Sequence, residues 1–575
     1  MKQFQFSYND NDDLKTTLTN IRQWCSSSIT SHIVFQIYTE TIDNELISEI
    51  CSVIAAELPD AEYLGCSTNG NIINGEFSGS AVNIICTIFE YPTSKVEIFQ
   101  YALTAQTENK VMRNFLKEIE KRPWIKAIEL LTTIRGMSMT DFCDILSTVR
   151  PDIHIFGGGA FSSDINDVHA CVFSKKSGIS DSGVVFILMG GDDFHAATTY
   201  IAGWKPLGKT FHVTSSEGSL LHTLDDQPAY EVYSRYLNID INADFFFNTL
   251  EFPFFYHHNG IDILRAPTAC LEDGTLVMTS DMEENVSARL AYGDPDTIIE
   301  SVYNEGKVIR DFLPEVIKIY SCAARRTFWG NAEVSKESQP FCNIAPTSGF
   351  YTSGEFLRTE GNVNQHNVTM VVAGMREGGT GSRRMPEFEV SKSGFTGKVS
   401  LISRLASYIN AAFDELEKVA VTDGLTKLYN RAEIQRRIEE RFASGQHFSL
   451  IMLDIDNFKS VNDFYGHDEG DTVIIGVADL LRTGIAGHIP EASVGRWGGE
   501  EFMFLLPFDL DYAKRTAANI IRDFNAIEFP NAGHQTLSIG ISEAREDDTI
   551  DKLLIRVDKA LYDAKRTGKN KYMIL

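Results

Sequence analysis

The chain has 575 residues and a formal net charge of −27, with 43% hydrophobic and 11% aromatic residues. That length exceeds one ordinary core and predicts roughly three to four globular domains. The charge excludes a nucleic-acid or anionic-membrane surface, because both would repel the chain. Nucleotide binding stays open, since a metal and a few local cations can offset phosphate charge.

Nine cysteines, all between Cys25 and Cys342, are odd in number and contain no Cys-x-x-Cys pair. They read as reduced thiols in a reducing compartment. The first residues, Met-Lys-Gln-Phe-Gln-Phe, lack the apolar run of a signal peptide, and the longest apolar run, residues 184–189, cannot span a bilayer. The expectation is a cytoplasmic protein with no membrane or nucleic-acid partner.

From the start to about residue 215, apolar runs alternate with helix-like segments. Residues 31–38 predict a strand and 43–58 a helix with apolar residues at helical spacing. Two strands then run into glycine loops, Gly65-Cys66-Ser67-Thr68-Asn69-Gly70 and Gly157-Gly158-Gly159-Ala160. Loops at the carboxyl ends of strands are where α/β folds bind ligands, although a glycine that only serves a tight turn explains each equally simply. No repeat of solenoid period is visible.

Those two glycine loops resemble the N-terminal half of a FIST sensory domain, which sets a first boundary at 1–215. Residues 216–375 resemble its C-terminal half through Pro228-Ala229-Tyr230-Glu231-Val232-Tyr233, Ser321-Cys322-Ala323-Ala324-Arg325-Arg326 and Gly349-Phe350-Tyr351-Thr352-Ser353-Gly354-Glu355. The resemblance implies a mixed α/β region that senses a small ligand. Arg325 and Arg326 with Tyr351 and Glu355 could clamp a carboxylate or zwitterion bidentately, or could form a structural ion pair; Cys66 and Ser67 in the first glycine loop join them as candidate ligand residues. Haem enters only through the resemblance, because His257 and His258 are adjacent on a strand and would point to opposite faces.

Residues 376–395 are glycine-rich, polar and stopped by Pro386, the signature of a connecting loop. A helix is expected from 396 to 420, with apolar residues at Ile402, Leu405, Ile409, Ala412, Leu416 and Val419. Spacings alternating between three and four make a short heptad seam, suited to a dimerising signalling helix or to an amphipathic helix docked on one core. The linker and helix together take residues 376–420.

The remaining domain, 421–575, predicts strand 449–453, a helix around Ser460, a helix at 471–481, a hairpin, a helix at 512–524, strand 536–541 and a helix at 551–567. The hairpin carries Arg496-Trp497-Gly498-Gly499-Glu500-Glu501-Phe502 at its tip, and the first strand ends in Asp454-Ile455-Asp456. Acids at the tip of an otherwise buried hairpin are costly unless something offsets them. A divalent cation shared with Asp454 is the expected partner, since Mg²⁺ takes one or two carboxylates and leaves its other positions to substrate phosphates.

These residues, with Asp423-Gly424-Leu425-Thr426, Asn457-Phe458-Lys459, Asn462-Asp463, Gly466-His467-Asp468-Glu469-Gly470-Asp471 and Ala560-Leu561-Tyr562-Asp563-Ala564-Lys565, resemble the GGDEF family of diguanylate cyclases. The resemblance implies a ferredoxin-like βαββαβ palm that joins two GTP molecules into cyclic di-GMP with Mg²⁺ or Mn²⁺, acting as a homodimer. It further implies that Asp454, Glu501 and the Ile455 carbonyl hold metal and that Glu500 assists as ligand or base. Asn457, Phe458, Lys459, Lys565 and Lys569 would contact phosphates. Lys569 stands where the family often has arginine and so lacks the bidentate fork. Guanine presents N1–H and N2–H donors to one carboxylate, a role that fits Asp471, with Asn462 serving the remaining edge. The product-inhibition motif is replaced by Ile489-Pro490-Glu491-Ala492, so no inhibitory site of that kind is expected. The alternative is a catalytically silent receptor for GTP or cyclic di-GMP that acts through protein partners.

Overall fold

The computed structural model describes all residues except 105, 134–138, 164–168, 259–260, 382–383, 390–397, 486–488, 490 and 546–547. The chain forms two compact units, Met1–Ile409 and Asn410–Leu575.

The first unit is built on a three-fold repeat. Each of three six-stranded sheets centres on a parallel pair: His32–Thr39 with Glu62–Ser67, Ile125–Thr132 with His154–Gly159, and Val316–Cys322 with Thr347–Thr352. An antiparallel strand flanks the first member of each pair: Val82–Phe89, Gly183–Gly190 and Met370–Glu377 in turn. Beyond the second member lies a hairpin that another repeat supplies. Val172–Ser174 with Gly178–Ser180 completes the first sheet, Glu355–Thr359 with Asn362–His366 the second, and Asn71–Ile73 with Glu76–Ser78 the third. The hairpins are therefore exchanged around a ring.

Side chains at matching positions explain the convergence. Gly65, Gly157 and Gly349 stand opposite Ile37, Leu130 and Ile319. A methyl group on any of the three would overlap the carbonyl oxygen of that partner, so each glycine permits a close approach of backbones. One residue earlier on the central strands, Gln36, Glu129 and Lys318 meet in the interior. Lys318 Nζ lies 2.5 Å from Glu129 Oε2, Gln36 Nε2 donates to Glu129 Oε1 at 2.7 Å, and the Tyr320 hydroxyl donates to the same oxygen at 2.6 Å. A buried charge survives only when paired in this way.

An eight-stranded sheet between residues 204 and 293 completes this unit. Its long strand Trp204–Glu217 crosses the domain boundary expected at 215/216. The two FIST-like halves also share all three repeated sheets' cores, because one apolar cluster joins Val34, Leu131, Phe156, Tyr320 and Phe350. Hairpin exchange forces that mixing.

Helix α1, Lys398–Val421, lies where a helix was expected, although residues 396–397 of that span lie outside the described ones. Within the first unit, Ala406 is buried and Ser407 shares a hydrogen bond with Tyr292. Phe388, just before it, is buried against Gly306 of the helix Pro295–Phe312, where any side chain would overlap its ring. Leu405, Ile409, Leu416 and Val419 of the seam are exposed, and Ala412 is half-buried.

The second unit is a five-stranded sheet. In chain order it contains α2 (Arg431–Ala443), β1 (Ser449–Ile455), α3 (Phe458–Tyr465), α4 (His467–Asp479), β2 (Ser493–Gly498), β3 (Glu501–Leu506), α5 (Leu510–Asn525), β4 (Leu537–Glu543), α6 (Ile550–Arg566) and β5 (Tyr572–Ile574). The sheet order β2-β3-β1-β4 is antiparallel throughout, with β5 added parallel at the edge. This is the ferredoxin-like palm. Helices α3, α4 and α5 pack with Ile451, Leu453, Phe502 and Phe504 on one face. Helices α2 and α6 pack with Leu450, Met452, Met503 and Leu505 on the other. Alternation along each strand produces the two faces. The structure starts α4 at His467, four residues before the expected Asp471, because Gly466 at φ +85° turns the chain there.

Candidate active site

The acids meet at the end of the sheet. Asp454 on β1 stands directly opposite Glu501 on β3, and the parity of Met452 and Met503 puts both on the α6 face. Gly499, at φ +28°, closes the turn between β2 and β3. Arg496 fixes that turn by donating to the Gly499 carbonyl at 2.9 and 2.7 Å and to Asp423 Oδ1 at 3.2 Å. Asp423 also accepts from the backbone and hydroxyl of Thr426. The Asp423-Gly-Leu-Thr segment therefore braces the acidic hairpin, a role that the sequence had not assigned to it.

Asp454 is 6% exposed, and its carboxylate is 2.6 Å from Lys565 Nζ on α6. Burial pushes its pKa up to about 6; Lys565 opposes this, while Glu500 and Glu501 add to it. Burial also raises Glu501, with Lys565 acting against it. Loss of hydration outweighs a single ammonium partner here. Among the described residues, no three or more His, Cys, Asp or Glu side chains are grouped to form a closed metal cage. Mg²⁺ does not require one. Asp454, Glu501 and the Ile455 carbonyl fit an open site completed by phosphates, and the excess of acid over base is what a cation would relieve.

The phosphate-side candidates gather around the β1–α3 junction. Asn457 is left-handed at φ +58° and accepts from Lys569 Nζ at 2.6 Å. Phe458 is buried under the loop, and Lys459 is exposed beside it. Asp456, two residues beyond Asp454, is a structural tie. Thr536 Oγ1 and Ser538 Oγ each donate to it at 2.6 Å, and the Asn570 amide does so at 3.0 Å. Its carboxylate thereby holds the Lys569–Asn570 turn against β1. Asn462 Oδ1 is buried against Gly470 and has no hydrogen-bond donor, whereas Asp471 on α4 is open to solvent. Asn462 caps no helix through its side chain. At the replaced inhibitory motif, Ile489 is buried and Glu491 pairs with Arg441 at 2.9 Å; Pro490 lies outside the described residues.

Of the two readings of Arg325, ligand clamp or structural ion pair, its contacts match the ion pair. Arg325 is fully buried, and Glu337 accepts from its Nε at 2.7 Å, not Glu355. Its remaining donors serve the carbonyls of Ile201, Ala202 and Val368. With its donors engaged internally, Arg325 is a core residue. Glu355 is buried, accepts from Thr369 Oγ1 at 2.8 Å, and has its pKa pushed up to about 8 by burial. The Tyr351 ring and the Cys66 thiol are buried as well, and burial raises both pKa values. Ser67 Oγ accepts from the Cys171 amide at 2.9 Å. Arg326 alone is half-open, bonded to the Asn69 carbonyl and stacked 4.5 Å from the Phe77 ring. His257 and His258 lie near Asp262 and Glu283 respectively.

Residues 420–571 match the family model described as "Diguanylate cyclase, GGDEF domain", residues 33–227 the FIST N domain, and residues 229–358 the FIST C domain. The chain is 38% identical over 164 residues to "Uncharacterized protein YtrP" of Bacillus subtilis, covering 28% of this chain and 27% of that protein. It is 37% identical over 166 residues to "Diguanylate cyclase DgcM" of Escherichia coli, covering 28% and 40%. Among solved structures, the coiled coil and GGDEF domain of DgcB from Caulobacter crescentus is 28% identical, covering 31% of this chain and all of that one, with a TM-score of 0.28. The chain spans between a quarter and two fifths of these curated relatives' length. No helix among the described residues is long and apolar enough to cross a membrane.

Proposed function

With a GGDEF domain set behind a FIST region, we propose that this protein is a sensor-regulated diguanylate cyclase. It would condense two GTP into cyclic di-GMP and two pyrophosphates. The observation that carries the reading is Asp454, a buried carboxylate facing Glu501 across the sheet with Lys565 as its cationic partner.

In each half of the reaction a ribose 3′-oxygen bonds to an α-phosphorus, pyrophosphate leaves, and the hydroxyl proton passes to a base. Divalent metal held by Asp454, Glu501 and the Ile455 carbonyl would supply charge neutralisation at the phosphates when bound. Glu500, at the hairpin tip, would assist as ligand or proton acceptor. Lys565 would exchange Asp454 for phosphate oxygens, and Lys459 and Lys569 would hold the leaving pyrophosphate. Asp471 would accept both donors of the guanine edge, and the undonated Asn462 Oδ1 offers an acceptor beside it. The FIST region would take a small ligand and control pairing of two copies through α1.

The test is incubation of the purified full chain with GTP and Mg²⁺ or Mn²⁺, with the product identified by mass spectrometry. Cyclic di-GMP that disappears on chelation supports the reading. GTP bound but unchanged would replace it with a silent receptor.

A further inference from the structure

Under the cyclase reading Lys569 holds the leaving pyrophosphate, and a lysine there is harder to aim than an arginine. Its ammonium is a point charge on a flexible stem, without the rigid fork that arginine presents. The backbone that carries it must therefore supply the aim. That backbone is the turn between α6 and β5, where Gly568, Lys569 and Asn570 follow one another at φ +120°, +59° and +45°. A left-handed φ crowds the Cβ of any residue but glycine. Two such side chains in succession persist only where their surroundings hold them.

Two consecutive residues just past β1 provide the hold. Asp456 takes the backbone of the turn: its Oδ2 accepts from the Asn570 amide at 3.0 Å. Asn457 takes the side chain: its Oδ1 accepts from Lys569 Nζ at 2.6 Å. Asp456 is itself fixed. It is 3% exposed, Thr536 Oγ1 and Ser538 Oγ each donate to its carboxylate at 2.6 Å, and its amide donates to the Thr536 carbonyl at 2.9 Å. Beyond the turn, the Ile539 amide donates to the Lys571 carbonyl at 2.9 Å, and Asn525 Nδ2 donates to Asn570 Oδ1 at 3.1 Å. The turn, β4 and the β1–α3 junction thus make one frame, with the Lys569 ammonium held at Asn457.

Resting on the cyclase reading, we propose that Asp456 is the positioning residue of the pyrophosphate site: it holds the turn in its left-handed form so that Lys569 reaches the phosphates of the nucleotide in its own domain. Asp456 touches neither substrate nor metal. Asn457 Oδ1 keeps the ammonium paired until phosphate oxygens displace it. The role requires shape rather than charge. Asparagine at 456 retains an oxygen for the Asn570 amide, and its NH₂ group can donate to the Ser538 hydroxyl, which can turn to accept. Glutamate keeps the charge but moves the carboxylate out by one methylene and misplaces the turn. A metal ligand would show the opposite order, because Mg²⁺ takes carboxylate oxygens.

The experiment compares Asp456→Asn, Asp456→Glu, Lys569→Ala and the double variant Asp456→Glu with Lys569→Ala against the wild-type full chain. Affinity is read for a non-hydrolysable GTP analogue and for GMP, which carries the same base and ribose without the pyrophosphate, and the thermal midpoint is read alongside. Asp456→Glu should weaken analogue binding about ten-fold, the loss of one charge-assisted contact. Lys569→Ala should lose the same amount, and the double variant no more. Asp456→Asn should keep most of the affinity, and GMP should bind every variant as it binds the wild type. Asp456→Ala takes the place of the glutamate variant, with the same expectation, if the longer side chain prevents folding. Unchanged analogue affinity in Asp456→Glu or Lys569→Ala would overturn the proposal. So would an asparagine variant weaker than the glutamate one, additive losses in the double variant, or lost GMP affinity in a variant that melts like the wild type. Wild-type turnover tests the other level: a chain that binds the analogue but makes no cyclic di-GMP would defeat the cyclase reading, and the affinities would still decide the role of Asp456.

Discussion

Asp454 shows how one residue can be read twice, once for chemistry and once for stability. Its carboxyl titrates near 6 in the folded protein and near 3.8 when free. Metal binding needs the carboxylate, so Mg²⁺ affinity and turnover should rise as pH passes from about 5 to 7. A flat profile over that range, or near-wild-type turnover in Asp454→Ala or Glu501→Ala, would count against the metal assignment. Those variants should lose about 1,000-fold in rate, the equivalent of several kcal/mol of phosphate charge stabilisation. The stability sign is opposite. A folded pKa above the unfolded one means that the fold binds the proton more tightly, so this carboxylate costs stability as pH rises from about 4 through 6. Metal-free Asp454→Asn at pH 7.5 should therefore melt about 2–4 °C higher, an effect on the order of 1 kcal/mol. A lower midpoint by calorimetry would mean that the Lys565 pairing outweighs desolvation.

Helix α1 carries the argument at the scale of elements. Its seam was legible from the spacing of apolar residues, but spacing alone could not separate a helix docked on its own domain from one left open for a partner. The structure shows some of each. Ala406 and Ser407 engage the first unit, whereas Leu405, Ile409, Leu416 and Val419 are exposed. A cyclic product with one GTP per domain requires two domains face to face, so the open seam is the proposed pairing device. Ile409→Glu or Leu416→Glu should lower turnover and weaken dimerisation together, read as specific activity against protein concentration with mass from light scattering. Full activity in either variant would separate α1 from pairing. The hairpin was equally legible, because two apolar runs around Gly498-Gly499 admit little else. The brace behind it was not, since Arg496 and Asp423 are 73 residues apart and meet only after folding.

At the scale of the whole molecule, the two units differ in how far they are self-contained. Residues 410–575 form one unit with their own sheet and should melt cooperatively when expressed alone. Residues 1–215 should not, because the sheet centred on Ile125–Thr132 lacks its closing hairpin without Glu355–Thr359 and Asn362–His366. A sharp, two-state melt of that fragment by circular dichroism would contradict the shared core. The sequence by itself determined most of the second unit: the acids at the end of β1 and at the hairpin tip, and the run of elements from β1 to α6, though not α2 or β5. Those features lie in short motifs whose chemistry is local, and a metal or guanine edge demands particular side chains at fixed spacing. Only the tertiary structure decided the first unit. Its three-fold repeat shows in backbone register at Gly65, Gly157 and Gly349, not in any shared run of residues, because close backbone approach constrains only the one position that must lack a side chain. The fate of Arg325 was likewise hidden, since a guanidinium has the same donors whether it meets a ligand or, as here, Glu337 and three carbonyls in the core. Burial, which is set by distant strands, chose between the two.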